Sequence, residues 1–446
     1  MSRREKGQWL ALLVFLLLGS APLALHAQDG LPDEIPEVAI EIQASQYFRP
    51  ALQFAWSDTS AAFVPFRDRL RLGLELSGSL LILGEDALDT LSGKGSSTPE
   101  ARWGSITVLH PDKPRVNGEE LGIKVGLRDR QDRKDFAHWT MNWTPERADA
   151  AADSLVDAIL YLLTGRTSLV DSRIIMARRG REGDNIFLCD HYGSGLRPLT
   201  FTPSPKFSPR LSPDGRWLVY GVVRDPGGAD LFIQQIDNQL NPVGSPEPLL
   251  TGPESDSSPA WSPDGRWLAC ASTRNGNTDL YLLPMENGRI NGSERRITFD
   301  SAIDTSPSWS PDGRYLVFCS DRSGGLQIYR ISVDGLETER LSWFGYANDC
   351  PDWSPDGDWI TFVTRERKGF QLAMMRTDGS EAMKLTDEPG NHFNPVWSPD
   401  GTQIAYSWNG VAWITFADGS GRRRLCAGNG ASPDWSTGPR TREGQR

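Results

Sequence analysis

The sequence predicts an α/β N-terminal domain followed by an all-β six-bladed β-propeller. Three observations lead there. The tetrapeptide Ser-Pro-Asp-Gly recurs five times, starting at Ser212, Ser262, Ser310, Ser354 and Ser398, at spacings of 50, 48, 44 and 44 residues. A β-rich run follows each copy. Ahead of the first copy lies a stretch of helix and strand patterns with none of this repetition. A chain of 446 residues has room for one repeat array and one smaller domain.

Residues 1–27 read as a signal peptide. Arg3, Arg4 and Lys6 precede an apolar run from Trp9 to Leu18, and small residues lead to Ala27. The run is short for a membrane span, and no later segment is apolar enough for one. An exported protein without membrane insertion is expected. Residues 28–47 are polar and proline-punctuated at first, which suits a mobile partner-binding segment. Within it, Glu37, Val38, Ala39, Ile40, Glu41 and Ile42 alternate polar and apolar, a pattern able to add as a strand to another sheet edge. The same alternation also suits a first strand of the following domain.

Residues 48–168 form the expected α/β domain. Strands are predicted at 50–54, 79–83, 105–109, 122–129 and 135–141. A helix is predicted over Ser60–Ser77, with Phe63, Phe66, Leu70 and Leu74 on one face. Gly84–Pro99 reads as a loop. Thr144, Pro145 and Gly165 mark the start and stop of a second helix. No glycine pattern that cradles phosphate is present.

Residues 169–437 carry the propeller. In Ser-Pro-Asp-Gly the proline presets φ for a type I turn, Asp tolerates the next position and Gly suits the last. Behind each turn come two strand-like runs, then a short third one, which makes four strands per unit of about 45 residues, a blade. Pro-x-Trp precedes four copies, and the tryptophans are expected to pack between blades. The repeated Asp is read as a turn residue rather than a catalyst. Residues 172–179, 185–191 and 196–201 are a blade lacking its first strand. Pro433-Asp434-Trp435-Ser436 is a copy reduced to that strand alone. Together they make a sixth blade, so the C-terminus closes the ring and removes two sheet edges. Residues 438–446 are expected to be a disordered tail.

Composition narrows the functions. A net charge of −11 argues against a nucleic-acid footprint. Five cysteines, an odd number, leave at least one free; Cys270 and Cys319 fall in apolar runs and read as buried thiols. There is no Gly-x-Ser-x-Gly elbow and no length after the ring for a hydrolase domain. Only His191 and His392 lie in the ring, too few for a histidine-rich metal centre. The chain is read as no enzyme, with no cofactor and no metal.

The first strands of propeller blades line a central channel, so the loops entering them converge on one rim. Three residues ahead of the repeated prolines stand Lys206, Asp256, Asp304, Asn348 and His392. With Phe344 and Tyr346 as aromatic anchors, they are the candidate partner-binding face. Asp256 and Asp304 also offer the oxygens a calcium ion would seek.

The segments "EVAIEI…RPALQF", "LELSGSLLIL", "LTGRTSLVDSRI" and "IDTSPSWSPDGRYLVFCSDRSGGLQIY", in this order, resemble the TolB family of the Tol-Pal envelope system over residues 37–436. The resemblance implies a monomeric scaffold of the periplasm rather than an enzyme. It implies binding of the lipoprotein Pal at one propeller face and of the TolA C-terminal domain at Glu37, Val38, Ile40 and Ile42. The role implied is outer-membrane integrity and constriction at division. The alternative is an exported propeller that binds another envelope protein or a glycan outside Tol-Pal.

Overall fold

Each blade is built from antiparallel hairpins whose corners the local sequence dictates. The computed structural model describes residues 51–54, 63–77, 81–83, 106–111, 115–117, 120–129, 135–164 and 169–436, except 181–182, 226 and 335–336. The described residues divide into two compact units, one ending at Val170 and one beginning at Asp171. The signal peptide, the segment containing Glu37, Val38, Ile40 and Ile42, the loop 84–99 and the tail 438–446 lie outside them.

The first unit contains a six-stranded sheet. Ala51–Phe54 pairs in parallel with Leu81–Leu83 and with Ile106–Pro111. Glu120–Asp129 joins antiparallel and also pairs with Arg115–Asn117 and Asp135–Trp143. Two helices complete it, α1 (Val64–Leu76) and α2 (Ala148–Thr164). The apolar face expected of α1 is buried: Phe63, Phe66, Leu70 and Leu74 are at most 2% exposed. Phe66 stacks on Trp143 at 4.1 Å between centroids, and Phe63 meets the same ring edge-on. Burying such a side chain contributes about 2 kcal/mol. Arg69 clamps Asp153 of α2 through two bonds of 2.8 Å. Two local features differ from expectation. Thr144 precedes a 3-10 turn, Pro145–Arg147, before α2 starts. Arg115–Asn117 adds a short strand within a stretch that carries no periodic pattern.

The second unit is a six-bladed propeller, one four-stranded sheet per blade with a short extra strand in the third. Blades 2 to 6 begin at Lys206–Leu211, Asp256–Trp261, Asp304–Trp309, Asn348–Trp353 and His392–Trp397. Blade 1 takes its innermost strand from the C-terminus: Ala431–Ser436 pairs with Arg173–Gly180, followed by Gly183–Asp190 and Arg197–Pro198. Separate apolar clusters fill the junctions from blades 1–2 through 5–6. All five cysteines are free thiols, and Cys270 and Cys319 are fully buried. Among the described residues, no helix is long and apolar enough to cross a membrane.

The Ser-Pro-Asp-Gly corner closes the first hairpin of blades 2 to 6 by the same bonds. In blade 4, Gly313 N–H donates to Ser310 O, Ser310 Oγ donates to Asp312 Oδ1 at 2.6 Å, and Tyr315 N–H donates back to Ser310 Oγ. Asp312 also accepts from Arg314 N–H. Gly313 has φ of 70°, a conformation costly for any side chain. Its α-carbon faces Pro263 of the preceding corner, so successive corners stack around the rim.

Candidate functional site

Two neighbourhoods border the innermost strands: the channel and the rim of entering loops. Each innermost strand carries a bulge. Ser208, Ser258, Ser306, Cys350, Asn394 and Ser432 all have φ between 45° and 53°, and each is followed by the repeated proline. A proline cannot donate to a ladder, and the edge facing the channel is where none is needed. The bulge turns these residues toward the axis, where neighbours are linked: Ser306 Oγ to Asp349, Cys350 Sγ to Asn394 Oδ1 at 3.3 Å, and Asn394 Nδ2 to Ser432 Oγ at 3.1 Å.

The channel encloses about 240 Å³. Its charged groups come from the residue following the repeated proline: Arg210, Asp352 and Asp434. Asp434 Oδ2 accepts from Leu211 N–H at 2.9 Å, and its other oxygen lies 3.8 Å from Arg210 Nε. Asp352 accepts from Ser308 Oγ and from Trp397 N–H. Burial pushes the Asp352 carboxyl up to about 6, despite those bonds and Arg210, and Asp434 adds to the rise. Carboxylates thus join blade to blade here, blade 5 to blade 6 and blade 1 to blade 2.

The rim residues expected as contacts are present at the strand starts but are turned inward. Lys206, Asp256, Asp304, Asn348 and His392 are at most 3% exposed. Asp256 pairs with Arg274 and Asp304 with Arg322, each arginine coming from the next loop of its own blade. Lys206 Nζ donates to Thr202 O and Ser204 O, and burial lowers its pKa to about 8. Asn348 donates to Gln327 Oε1 and Phe344 O. His392 Nδ1 donates to Phe370 O, its ring stacks on Trp408, and burial lowers its pKa. These five are corrected from contact residues to braces that hold the entering loops. The Asp256 and Asp304 oxygens are engaged by Arg274 and Arg322, and among the described residues no group of three or more acidic, histidine or cysteine side chains is placed to hold a metal ion.

The exposed aromatic of this loop is Trp343, one residue ahead of the expected Phe344. Phe344 is half-buried against Phe362, and Tyr346 is half-buried with its hydroxyl enclosed. Trp343 is the exposed one at 73%, and Phe201 and Phe299 match it at 68% and 70%. All three follow the Ser or Thr that clamps a fourth strand to a third: Thr200, Thr298 and Ser342 accept from Ile186, Leu280 and Ile328 N–H. The signal is visible in the sequence as Leu/Ile-Thr/Ser-aromatic at the blade ends.

With this geometry in view, comparison with known proteins is informative. A family model described as TolB beta propeller domain matches residues 161–438. The Tol-Pal system protein TolB of Roseobacter denitrificans is 29% identical over 218 residues, 47% of this chain and 49% of that protein. The protein of the same name from Chromobacterium violaceum is 27% identical over 170 residues, 35% of this chain and 40% of its own length. The chain thus spans about half the length, or less, of the curated relatives it matches. The crystal structure of TolB from Acinetobacter baumannii superposes with a TM-score of 0.67 at 20% identity, covering 87% of this chain and 96% of that one, a likeness of fold.

Proposed function

The chain belongs to the TolB β-propeller family, and from that premise we propose that it is a non-enzymatic periplasmic scaffold of a Tol-Pal system. In this reading the rim of entering loops binds the soluble domain of the lipoprotein Pal. The segment Glu37 to Ile42, through Val38, Ile40 and Ile42, binds the TolA C-terminal domain as an added strand. The two contacts link envelope layers and support constriction of the outer membrane at division. The observation that carries the proposal is an α/β unit followed by a single closed six-bladed ring. The inward braces at the strand starts support it further, because they hold one rim of loops in a fixed shape. Preorganised loops lose less entropy on binding a protein partner.

The test is calorimetric titration of residues 28–446 with the soluble Pal domain and with the TolA C-terminal domain of the same organism. Deletion of residues 28–43 is expected to abolish TolA binding and to leave Pal binding saturable. If the folded proteins show no Pal binding, the Tol-Pal assignment falls and an exported module for another envelope protein or a glycan replaces it.

A further inference from the structure

The extra strand of blade 3 walls a cleft on the Ser-Pro-Asp-Gly rim, away from the entering loops. Asp279–Glu286 turns through Asn287-Gly288 into Arg289–Ile290, and Glu286 faces Arg289 across this two-residue turn. Asn287 and Gly288 have φ of 48° and 73°, the left-handed pair that such a turn requires. A Cβ at Gly288 would overlap the Trp217 ring, so the turn lies directly against that tryptophan of blade 2. The cleft encloses about 330 Å³ and is lined by Asp214, Arg216 and Trp217 of blade 2 and by Trp261, Asp264 and Asn287 of blade 3. Its volume falls among those of small-molecule sites, about 300–1,000 Å³. Trp261 also borders the channel.

The cleft holds unused hydrogen-bonding capacity of both kinds. Trp309 and Trp397 donate Nε1 to Ala260 O and Asp352 O, the carbonyl after the repeated proline of the preceding blade. Trp353 and Trp435 donate to Gly357 O and Ser172 Oγ. Trp261 is the exception: its Nε1 is buried with no partner among the described residues. A buried donor left unpaired calls for an explanation. Acceptors come from the two corners. Asp214 Oδ1 takes Ser212 Oγ and Arg216 N–H, and Asp264 Oδ1 takes Ser262 Oγ and Arg266 N–H. Each Oδ2 lies 3.9 Å from the nearest arginine Nε, beyond a hydrogen bond, and both side chains are more than half exposed.

We propose that this cleft between the corners of blades 2 and 3 binds the pyranose ring of a saccharide. A pyranose has an apolar C–H face to lay on an indole and hydroxyls at its edge that both donate and accept. Those hydroxyls donate to Asp214 Oδ2 and Asp264 Oδ2 and accept from Arg216 and Trp261 Nε1. Other ligand classes satisfy only part of the set. An anion meets two carboxylates for one guanidinium. A quaternary ammonium suits tryptophan and carboxylate but leaves the indole N–H and Arg216 without an acceptor. This site is independent of the protein partners proposed above.

The test is saturation-transfer NMR and calorimetry on residues 28–446 with glucose, galactose, N-acetylglucosamine, N,N′-diacetylchitobiose and choline as probes. The variants are D214N/D264N, W217L, and D312N/D356N, which repeats the first change at the corners of blades 4 and 5. Asparagine keeps the oxygen that accepts within each corner, and melting temperatures check every fold. The expected result is saturable binding of at least one sugar, with transfer strongest at its ring C–H protons. D214N/D264N should weaken it at least about tenfold, W217L should remove the transfer, and D312N/D356N should leave it unchanged. Tighter binding of the disaccharide than of its monosaccharide identifies a glycan chain as the source; equal binding identifies a free sugar. Absence of binding by all four sugars overturns the proposal, as does choline binding in their place. Equal binding by D214N/D264N and the natural chain, or equal weakening by D312N/D356N, removes the cleft as the site.

Discussion

At the scale of single residues, the repeated motif shows how a carboxylate can be indispensable without chemistry. Asp312 accepts from one hydroxyl and one backbone N–H, and Ser310 holds its pKa below the ordinary value. The channel carboxylates lie in the opposite regime. Asp352 is buried, and its pKa stands near 6 in the folded chain against an ordinary value of 3.8. Folded protein therefore binds more protons than unfolded protein between those values, so this group's contribution to stability falls as pH rises from about 4 to 6. Asp352→Asn removes the titration but keeps an oxygen for Trp397 N–H. The stability of the natural chain relative to this variant should fall across that window, by on the order of 2 kcal/mol. Denaturant unfolding of both proteins at pH 4, 5, 6 and 7 measures it; a pH-independent difference would remove the role assigned to Asp352.

Among elements, what was legible in the sequence was what local chemistry decides. The corners, the strands behind them and the amphipathic face of α1 each follow from residues adjacent in the chain. The rim was not legible, because one residue of phase decides it. Leu341 is buried and Ser342 is locked to Ile328 and Gln327, so Trp343 points to solvent and Phe344 turns back onto Phe362. A reading by residue type picks Phe344 as readily as Trp343. The braces were misread for a similar reason. A charged residue at a strand start suggests exposure, and the arginine that buries it lies 18 residues onward, in the next loop. The closing strand is the element on which the ring depends most. Trp435 is buried with Nε1 donating to Ser172 Oγ at 2.9 Å, and Arg178 donates to Asn429 O and Ala427 O just ahead of that strand. Trp435→Ala should cost about 3–5 kcal/mol and release the edge of Arg173–Gly180 to other chains. Unfolding midpoints together with light scattering on heating would report both effects. A loss below about 1 kcal/mol without aggregation would mean that the strand is not the clasp.

For the whole molecule, closure changes how blades share stability. In an open repeat array a damaged interface frees only the repeats beyond it, because each contacts its neighbours alone. In a closed ring every blade has two neighbours, and opening one junction leaves a horseshoe with two bare edges. Free thiols buried in different blades make the distinction measurable: Cys189 in blade 1 and Cys270 in blade 3 are at most 1% exposed. Phe318 sits in the cluster between blades 3 and 4, fully buried beside Tyr329. Phe318→Ala should remove about 3–5 kcal/mol. When labelling follows the open population, thiol modification under native conditions reads that loss as a rate. If closure makes the ring one cooperative unit, Cys189 and Cys270 accelerate by the same factor, on the order of a hundredfold or more, although Cys189 lies three blades from the substitution. Acceleration confined to Cys270 would show that the blades open one by one, and that the C-terminal strand fastens blade 1 without coupling the ring.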